Sequence, residues 1–384
     1  RRTLIAPLAA AAVLVAACGT DDETEPAPEP EAVTPESTPE EPEPEPQPEE
    51  PEPEADTPEP SPEPGPVEPA EFETLVTGLD IPWDLVFLPD GRALVSERNT
   101  ARVLEVTEDG DVSEVGTVPD VEPGGEGGLH GLEYQDGWLY AYLTASDDNR
   151  VVRMELDDGL GEPEVVIDGI PKAGIHNGGR MAFGPDGMLY IAAGDADEPS
   201  RAQDVETPAG KILRLEPDGS VPDDNPFDGS PVWSYGHRNV QGLAFDDDER
   251  LWASEFGTDI WDELNIIEPG ENYGWPEVEG IAEDERFVDP EVEWGNVEAS
   301  PSGIAYVRDT IFLAALRGQR LWQVPVPDGE AGEPQDFAVG EYGRLRDVTL
   351  APDGTLWILT NNTDGRNPDG PGPDDDRILR VTLE

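Results

Sequence analysis

The chain has 384 residues, 87 of them acidic and 23 basic, and its formal net charge is −64 at pH 7. This charge excludes nucleic acid as a partner, because phosphate binding needs basic side chains, and excludes docking of the domain surface on an anionic membrane. The length suffices for one large or two ordinary domains, and a single cysteine, Cys18, excludes a disulfide within the chain.

Residues 1–18 read RRTLIAPLAAAAVLVAAC, two arginines followed by a short apolar run and small residues before a cysteine. The apolar run is too short to span a bilayer, and the pattern resembles a bacterial lipoprotein signal peptide. We expect cleavage before Cys18, lipidation of that cysteine, and export to the outer face of the cell membrane, with membrane contact only through the lipid. An ordinary signal peptide with a chance cysteine is the alternative.

Residues 19–70 contain 19 acidic residues and no lysine or arginine, and proline and glutamate dominate them. Such a segment buries too little apolar surface to offset its chain entropy, so we predict a disordered, extended linker. Residues 71–384 are acidic as well, with 68 acidic against 21 basic residues. A cluster of arginines in this domain therefore needs an explanation.

Residues 71–384 repeat one pattern six times: a short apolar strand, a turn rich in Asp and Gly, and a second apolar strand. The copies begin at Trp83, Gly131, Arg180, Gly242, Gly303 and Asp347. Strand pairs that recur at intervals of roughly 40–50 residues are typical of a β-propeller with four strands per blade. The sequence therefore predicts an all-β, six-bladed β-propeller. A β-sandwich, the alternative, would show an even spacing of roughly 8–12 residues.

Four stretches beside the repeats hold polar side chains that the strand pattern does not require. They contain His176; Arg238, Asn239 and Gln241; the acidic residues Glu255, Asp259, Asp262 and Glu263; and Arg344 with Arg346. Loops in equivalent positions of a propeller converge on one face, so these residues can meet. Arginine forks bind carboxylates, acidic loops with free carbonyls bind Ca²⁺, and a histidine in a dry pocket suits a general base.

Each of these features also has an ordinary structural interpretation. Acidic loops in an acidic protein are mostly solvated, and Arg344 and Arg346 alternate along a strand, which also fits a surface ion pair. His130 and His237 lie beside glycines and fit turn or core positions. The joint occurrence of histidine, arginines and acidic loop is what favours a functional site.

At these residues the sequence resembles the soluble quinoprotein glucose and aldose sugar dehydrogenases, six-bladed propellers that use pyrroloquinoline quinone (PQQ) and Ca²⁺. The motifs GEGGLHGL, HNGGRMAFGPDG, GKILRLEPDGSVPDDNPF, GHRNVQGLAF, DELNIIEPGENYGWP and GRLRDV carry the resemblance, which covers residues 72–384. It implies oxidation of the anomeric hydroxyl of an aldose to a lactone, with hydride passing to PQQ and electrons onward to an external acceptor, a quinone or another. The alternatives are a non-catalytic propeller that binds a sugar or protein partner, and a Ca²⁺-dependent propeller lactonase.

The resemblance also implies roles for single residues. His176 is the implied base for the anomeric hydroxyl, and Arg238 is the implied group that stabilises charge on the quinone oxygen. The residues implied to contact PQQ are Arg238, Asn239, Arg317, Arg344 and Arg346, and those implied to contact the sugar are Glu126 and Gln241. The resemblance also implies two Ca²⁺ sites. The carbonyls of Gly257 and Thr258 would bind the catalytic ion, and Glu263 and Tyr273 would bind a second one.

Four positions depart from the glucose-specific enzymes. Glu126 replaces a glutamine near the sugar, Ile175 replaces an aspartate, Glu298 a threonine and Val240 a proline. The chain also lacks the long insertions of those enzymes. These departures favour the broader aldose sugar dehydrogenase branch over strict glucose specificity.

Overall fold

The computed structural model describes residues 67–258 and 260–384. The predicted signal peptide, the lipidated Cys18 and the predicted linker up to residue 66 lie outside the described residues and stay predictions, and so does Asp259 as a candidate ligand. The folded domain begins slightly earlier than predicted, because Val67 is buried and the first strand starts at Pro69. No helix in the described part of the chain is long and apolar enough to cross a membrane.

The described residues form six four-stranded antiparallel sheets, which are the blades of a propeller. Strand β1 spans Pro69–Thr77. Blade 1 contains β2 (Pro82–Phe87), β3 (Ala93–Glu97), β4 (Arg102–Val106) and β5 (Val112–Thr117), and blade 2 contains β6 (Leu129–Gln135), β7 (Trp138–Thr144), β8 (Asn149–Glu155) and β9 (Glu164–Ile170). Blade 3 contains β10 (Met181–Phe183), β11 (Leu189–Ala193), β12 (Lys211–Leu215) and β13 (Val232–Tyr235), and blade 4 contains β14 (Val240–Phe245), β15 (Leu251–Glu255), β16 (Trp261–Ile267) and β17 (Val292–Gly295). Blade 5 contains β18 (Pro301–Tyr306), β19 (Thr310–Ala315), β20 (Arg320–Pro325) and β21 (Gln335–Phe337), and blade 6 contains β22 (Leu345–Leu350), β23 (Leu356–Thr360), β24 (Arg377–Leu383) and β1. Two short 3₁₀ helices span Pro199–Gln203 and Pro327–Gly329.

The predicted six-bladed propeller is confirmed, and each sequence repeat is the hairpin of the two innermost strands of one blade. The apolar alternation of these hairpins buries leucine, valine and isoleucine between neighbouring blades. One such core joins Leu94 and Val103 of blade 1 to Leu132 and Leu139 of blade 2. The repeat is visible in the sequence because every blade must bury the same faces.

The ring closes through strands from opposite ends of the domain. Strand β1 pairs antiparallel with β24, with Phe72 opposite Val381 and Thr74 opposite Leu379. The first strand therefore supplies the outer edge of blade 6, which covers that edge and ties the first blade to the last.

The six innermost strands, β2, β6, β10, β14, β18 and β22, line a central channel. Five of them have an irregular register at their first residues, and such bulges locally change the direction of side chains. Deeper in the channel, Arg180 pairs with Asp84 and, at 3.0 Å, with Asp347. This buried ion cluster separates a cavity at one end of the channel from a chamber of about 250 Å³ at the other.

Candidate active site

A cavity of about 460 Å³ opens at one end of the channel, where loops from all six blades meet. Its walls bring together eight of the predicted site residues: Glu126, His176, Arg238, Gln241, Gly257, Arg317, Arg344 and Arg346. They lie up to 220 positions apart in the chain, so the predicted convergence of loops on one face holds for this set. The wall also contains residues that were not predicted as ligands, among them Trp83, Arg98, His130 and Arg366.

His176 presents one ring nitrogen to the cavity and uses the other for a buried hydrogen bond. Its Nδ1 lies 2.8 Å from Oδ1 of Asp195, which is fully buried. Because an ionised carboxylate only accepts, the proton of the neutral ring sits on Nδ1. Among the described residues no hydrogen-bond partner reaches Nε2, so this lone pair is available to a ligand in the cavity.

Asp195 was not predicted from the sequence, although it fixes the orientation of His176. Its Oδ1 also accepts the amide of Asp197 at 2.9 Å, and its Oδ2 accepts Nε1–H of Trp275 at 2.9 Å. These three hydrogen bonds hold the carboxylate in one orientation. The sequence gives little indication of this role, because the stretch GDAD at residues 194–197 resembles an ordinary acidic turn after a strand.

Glycine is required where the histidine loop contacts the end of β11. His176 has φ +57°, in the left-handed region. A Cβ on Gly194 would lie 2.1 Å from the His176 carbonyl oxygen, which no side chain tolerates. This close contact positions the His176 ring above Asp195, one residue after Gly194.

Arg344 and Arg346 form a buried cationic wall at the junction of blades 6 and 1. Arg344 has an acidic partner, since its Nη2 lies 3.2 Å from Asp364. Arg346 donates instead to Oε1 of Gln241 at 2.7 Å, and its buried Nε has no partner among the described residues. Burial, together with the charges of Arg98 and Arg344, lowers the pKa of Arg346 to about 9. The wall is thus short of negative charge.

Arg238 and Arg317 lie on the wall formed by blades 4 and 5. Arg238 donates to the carbonyl oxygen of Phe256 at 3.2 Å, and its buried Nε is also without a partner in the described chain. Its guanidinium lies 5.4 Å from the ring centre of Trp275, which limits its movement. Arg317 lies at the exposed rim, 3.4 Å from Oδ1 of Asn296.

Glu126 connects the histidine loop to blade 6 at the cavity mouth. Its Oε2 accepts the amide of His176 at 2.8 Å, and its Oε1 pairs with Arg366 at 2.6 Å. Burial opposes ionisation of this carboxyl, but Arg366 and the His176 amide outweigh it, so the pKa of Glu126 is lowered. The residue that replaces a glutamine therefore carries a negative charge into the cavity.

The acidic loop after β15 is organised by carboxylates that accept backbone amides. Asp262 accepts the amide of Gly257 at 3.0 Å, and Glu279 accepts the amide of Thr258 at 2.6 Å. With the amides engaged, carbonyl oxygens are the donors this loop offers to a cation. Gly257 lines the cavity, whereas Thr258 is exposed beside it.

The predicted second calcium residues lie outside the main cavity. Glu263 and Tyr273 line a separate small void behind Arg238, where burial and the charge of Glu255 raise the pKa of Glu263 to about 8. The Tyr273 hydroxyl donates to the carbonyl of Ile266 at 2.7 Å, so it is already engaged. Within 67–258 and 260–384, no three Asp, Glu, His or Cys side chains are grouped as a metal site.

Asn239 and the other two histidines are buried. Asn239 is a second support of the histidine loop, since its Oδ1 accepts the amide of Gly178 at 3.1 Å. His237 is fully buried between Glu255 and Ser234, at 2.8 Å from each, which is the core position that its sequence context allowed.

His130 differs because it lines the cavity while stacking on Trp83 with ring centres 5.0 Å apart. Burial lowers its pKa to about 3. It is therefore neutral and belongs to the floor of the cavity.

The fold is thus a six-bladed propeller, and in its cavity His176 lies opposite a wall of buried arginines. The chain belongs to the glucose/sorbosone dehydrogenase family, whose family model matches residues 79–369. The predicted family and the prediction of a sugar dehydrogenase enzyme are confirmed.

Similar proteins include an aldose sugar dehydrogenase of Escherichia coli (strain K12). It is 31% identical over 336 residues, which cover 76% of this chain and 90% of that protein. The quinoprotein glucose dehydrogenase B of Acinetobacter calcoaceticus is 32% identical over 263 residues, covering 57% of this chain and 55% of that protein. Among solved structures, the PQQ-bound aldose sugar dehydrogenase of Streptomyces coelicolor aligns with a TM-score of 0.81 and 50% identity, covering 84% of this chain and 99% of that one.

Proposed function

We propose that this protein is a PQQ- and Ca²⁺-dependent dehydrogenase that oxidises the anomeric hydroxyl of aldose sugars to lactones and passes the electrons to an external acceptor. The observation that carries the proposal is the cavity itself. It combines the free Nε2 of a histidine held by Asp195 with buried guanidinium groups that have no acidic partner in the described chain. The 50% identity to an aldose sugar dehydrogenase with PQQ bound supports the same assignment.

The cationic wall fits PQQ because that cofactor carries carboxylates. The Nε atoms of Arg238 and Arg346 are hydrogen-bond donors without a partner in the described chain, and burial beside Arg98 and Arg344 lowers the pKa of Arg346. Arg344, Arg346 and Arg317 would hold the cofactor carboxylates. When bound, PQQ supplies the two-electron acceptor for the sugar.

His176 supplies the base for this reaction. Its Nε2 takes the proton of the anomeric hydroxyl, while its Nδ1–H remains hydrogen-bonded to Asp195, with Nδ1 2.8 Å from Oδ1. The carboxylate stabilises the imidazolium that forms, as an orienting carboxylate does in other histidine-dependent enzymes. With the cofactor bound, Arg238 would offer hydrogen-bond donors to the group that gains negative charge in the reaction, an interaction that lowers the barrier when it is stronger in the transition state than in the ground state.

The loop after β15 also fits a hard cation such as Ca²⁺, because its backbone carbonyl oxygens can serve as ligands. The carbonyls of Gly257 and Thr258 would hold Ca²⁺ beside the cavity. Because no all-side-chain metal cluster exists in the described residues, this cation should depend on the cofactor for tight binding. When bound, this cation would supply Lewis-acid chemistry at the site.

The proposal includes the cell surface as the place of reaction. The segment 1–18 supports export and anchoring through a lipid on Cys18, and the acidic segment that follows supports a spacer between membrane and propeller. An enzyme in that position would reduce an acceptor outside the cytoplasm.

A reconstitution assay tests the proposal. The purified protein is loaded with PQQ and Ca²⁺, given a panel of aldoses and a redox dye, and dye reduction is followed. We expect His176→Ala to keep PQQ binding and lose turnover, and Arg346→Ala to weaken PQQ binding. A folded protein that reduces no dye with any aldose would refute the enzyme function and favour a non-catalytic sugar-binding propeller. The reverse behaviour of the two variants would refute the residue roles.

A further inference from the structure

Arg98 is a buried arginine of the cavity wall to which neither the motifs nor the resemblance assigns a role. It follows β3 in blade 1, in the stretch SERNT, and lines the cavity beside Arg346. Only 6% of its surface is exposed. A guanidinium this well buried needs compensation by a negative charge.

The backbone holds Arg98 rigidly in place. Its amide donates to the carbonyl of Ile81 at 3.0 Å, and its carbonyl accepts the amide of Leu129 from blade 2 at 2.9 Å. Gly128 makes room for it, since a Cβ there would lie 2.3 Å from the Arg98 carbonyl oxygen and 2.7 Å from its Cγ. The GEGG motif of the neighbouring blade is thus shaped around this arginine.

On this wall of the cavity, positive side chains outnumber negative ones. Four arginines face two acids there: Arg98, Arg344, Arg346 and Arg366 against Glu126 and Asp364. Glu126 pairs with Arg366, and Asp364 pairs with Arg344. Within the described chain, Arg98 and Arg346 are left without an acidic partner.

The hydrogen bonds of Arg98 leave its terminal nitrogens for a ligand. Its Nε donates to Oδ1 of Asn99 at 3.1 Å, and in the described residues neither Nη1 nor Nη2 has a protein acceptor. Burial lowers the pKa of Arg98, although Asp364 opposes the shift. In a domain with 68 acidic residues, a structural arginine would readily find a carboxylate, so the missing partner points to an anion from outside the chain.

We infer that Arg98 is an additional carboxylate-binding residue of the cofactor site, pairing, together with Arg346, with an anionic group of the bound cofactor. The inference rests on the proposed function, because it takes PQQ as the ligand. Blade 1 then contributes to the site directly, whereas the predicted ligands come from blades 2 to 6. Arg98, from blade 1, and Arg346, from blade 6, would bind the same end of the ligand.

A thermodynamic cycle tests this assignment without using catalysis. The dissociation constants of PQQ and of PQQ trimethyl ester, whose carboxylates are capped, are measured for the wild type and for Arg98→Gln. We expect the variant to bind PQQ roughly 10- to 100-fold more weakly, the loss of a desolvated charge-assisted hydrogen bond, and to bind the ester as the wild type does. The exposed Arg92→Gln is the matched control and should leave both constants unchanged.

The outcomes separate the inference from the proposed function. Equal weakening for PQQ and its ester would mean that Arg98 only supports the fold, and no weakening for PQQ would mean that it contacts no carboxylate; either result overturns the inference. Arg98→Lys keeps the positive charge but lacks the paired donors of a guanidinium group, so it should lose an intermediate amount of affinity for PQQ and none for the ester. This variant serves as the test if Arg98→Gln does not fold. A wild-type protein that binds no PQQ would instead refute the proposed function.

Discussion

The clearest prediction concerns Asp195, the residue that holds His176. In Asp195→Asn the side chain keeps its shape, but one acceptor oxygen becomes an amide donor. The carboxylate accepts three hydrogen bonds, from the His176 ring at 2.8 Å and from Trp275 and the Asp197 amide at 2.9 Å. An asparagine cannot accept all three, so a donor faces a donor at His176 or at Trp275.

The magnitude follows from these contacts. Loss of a hydrogen bond to a charged acceptor costs about 1.5–3 kcal/mol, and the imidazolium formed in the reaction also loses its counter-charge. The same substitution in a serine-protease triad lowers kcat by about 10⁴-fold, mainly through the wrong histidine tautomer. We therefore expect kcat to fall by about 10²- to 10⁴-fold in Asp195→Asn, while the affinity for PQQ stays near that of the wild type.

The assay is dye-linked aldose oxidation by the PQQ- and Ca²⁺-loaded protein, with cofactor affinity measured separately by titration. Asp218→Asn, on an exposed turn after β12, is the control and should keep full activity. A decrease in kcat of less than about threefold, or a decrease explained by lost PQQ binding, would refute the reasoning that Asp195 acts through the histidine.

Two further predictions concern charge in and behind the cavity. Glu126→Gln removes one negative charge beside the cavity, so the affinity for PQQ at low ionic strength should rise. Arg366→Gln removes one positive charge, so the affinity should fall. Each change should be about 1 kcal/mol, roughly fivefold in the dissociation constant. Because burial and Glu255 raise the pKa of Glu263 to about 8, metal-free stability should fall as the pH rises from 4.5 toward 8. Added Ca²⁺ should then raise the melting temperature more at pH 8 than at pH 5.

Each of these predictions has a direct check. Affinity is titrated at low and high salt, and shifts of the same sign in Glu126→Gln and Arg366→Gln would contradict the electrostatic explanation, as would effects that high salt does not reduce. Melting curves with and without Ca²⁺ test Glu263, and Glu263→Gln should remove the pH dependence of the Ca²⁺ effect. A Ca²⁺ effect of equal size at both pH values would show that this carboxyl does not bind the ion.

Much of the fold could be predicted because the propeller repeats. Each blade buries the same faces, so the apolar hairpin recurs along the chain and can be counted without knowing which strands pair across the ring. The early boundary at Pro69 escaped prediction, because β1 gains its partner only from β24, at the other end of the domain. Local composition places that segment with the proline- and glutamate-rich residues that precede it.

The candidate site was predicted only as a set of residue types in loops. His176, Arg238 and Arg346 stood out because histidines and arginines are rare in this acidic domain, and the structure brings them to one cavity. Asp195 and Arg98 did not stand out. An aspartate among many aspartates and an arginine after a strand have no local signature, and only their partners in space reveal what they do.

The sequence by itself determined the number of blades, the family and most of the polar residues that meet at the channel mouth, because these depend on periodic burial and on local motifs. Only the tertiary structure decided which charges are compensated. Within residues 67–258 and 260–384, Arg344 and Arg366 find acidic partners while Arg98 and Arg346 do not, although all four are arginines in the same acidic chain. Pairing depends on distances between loops of different blades, and the 240 residues between Glu126 and Arg366 show how far such contacts lie beyond any local pattern.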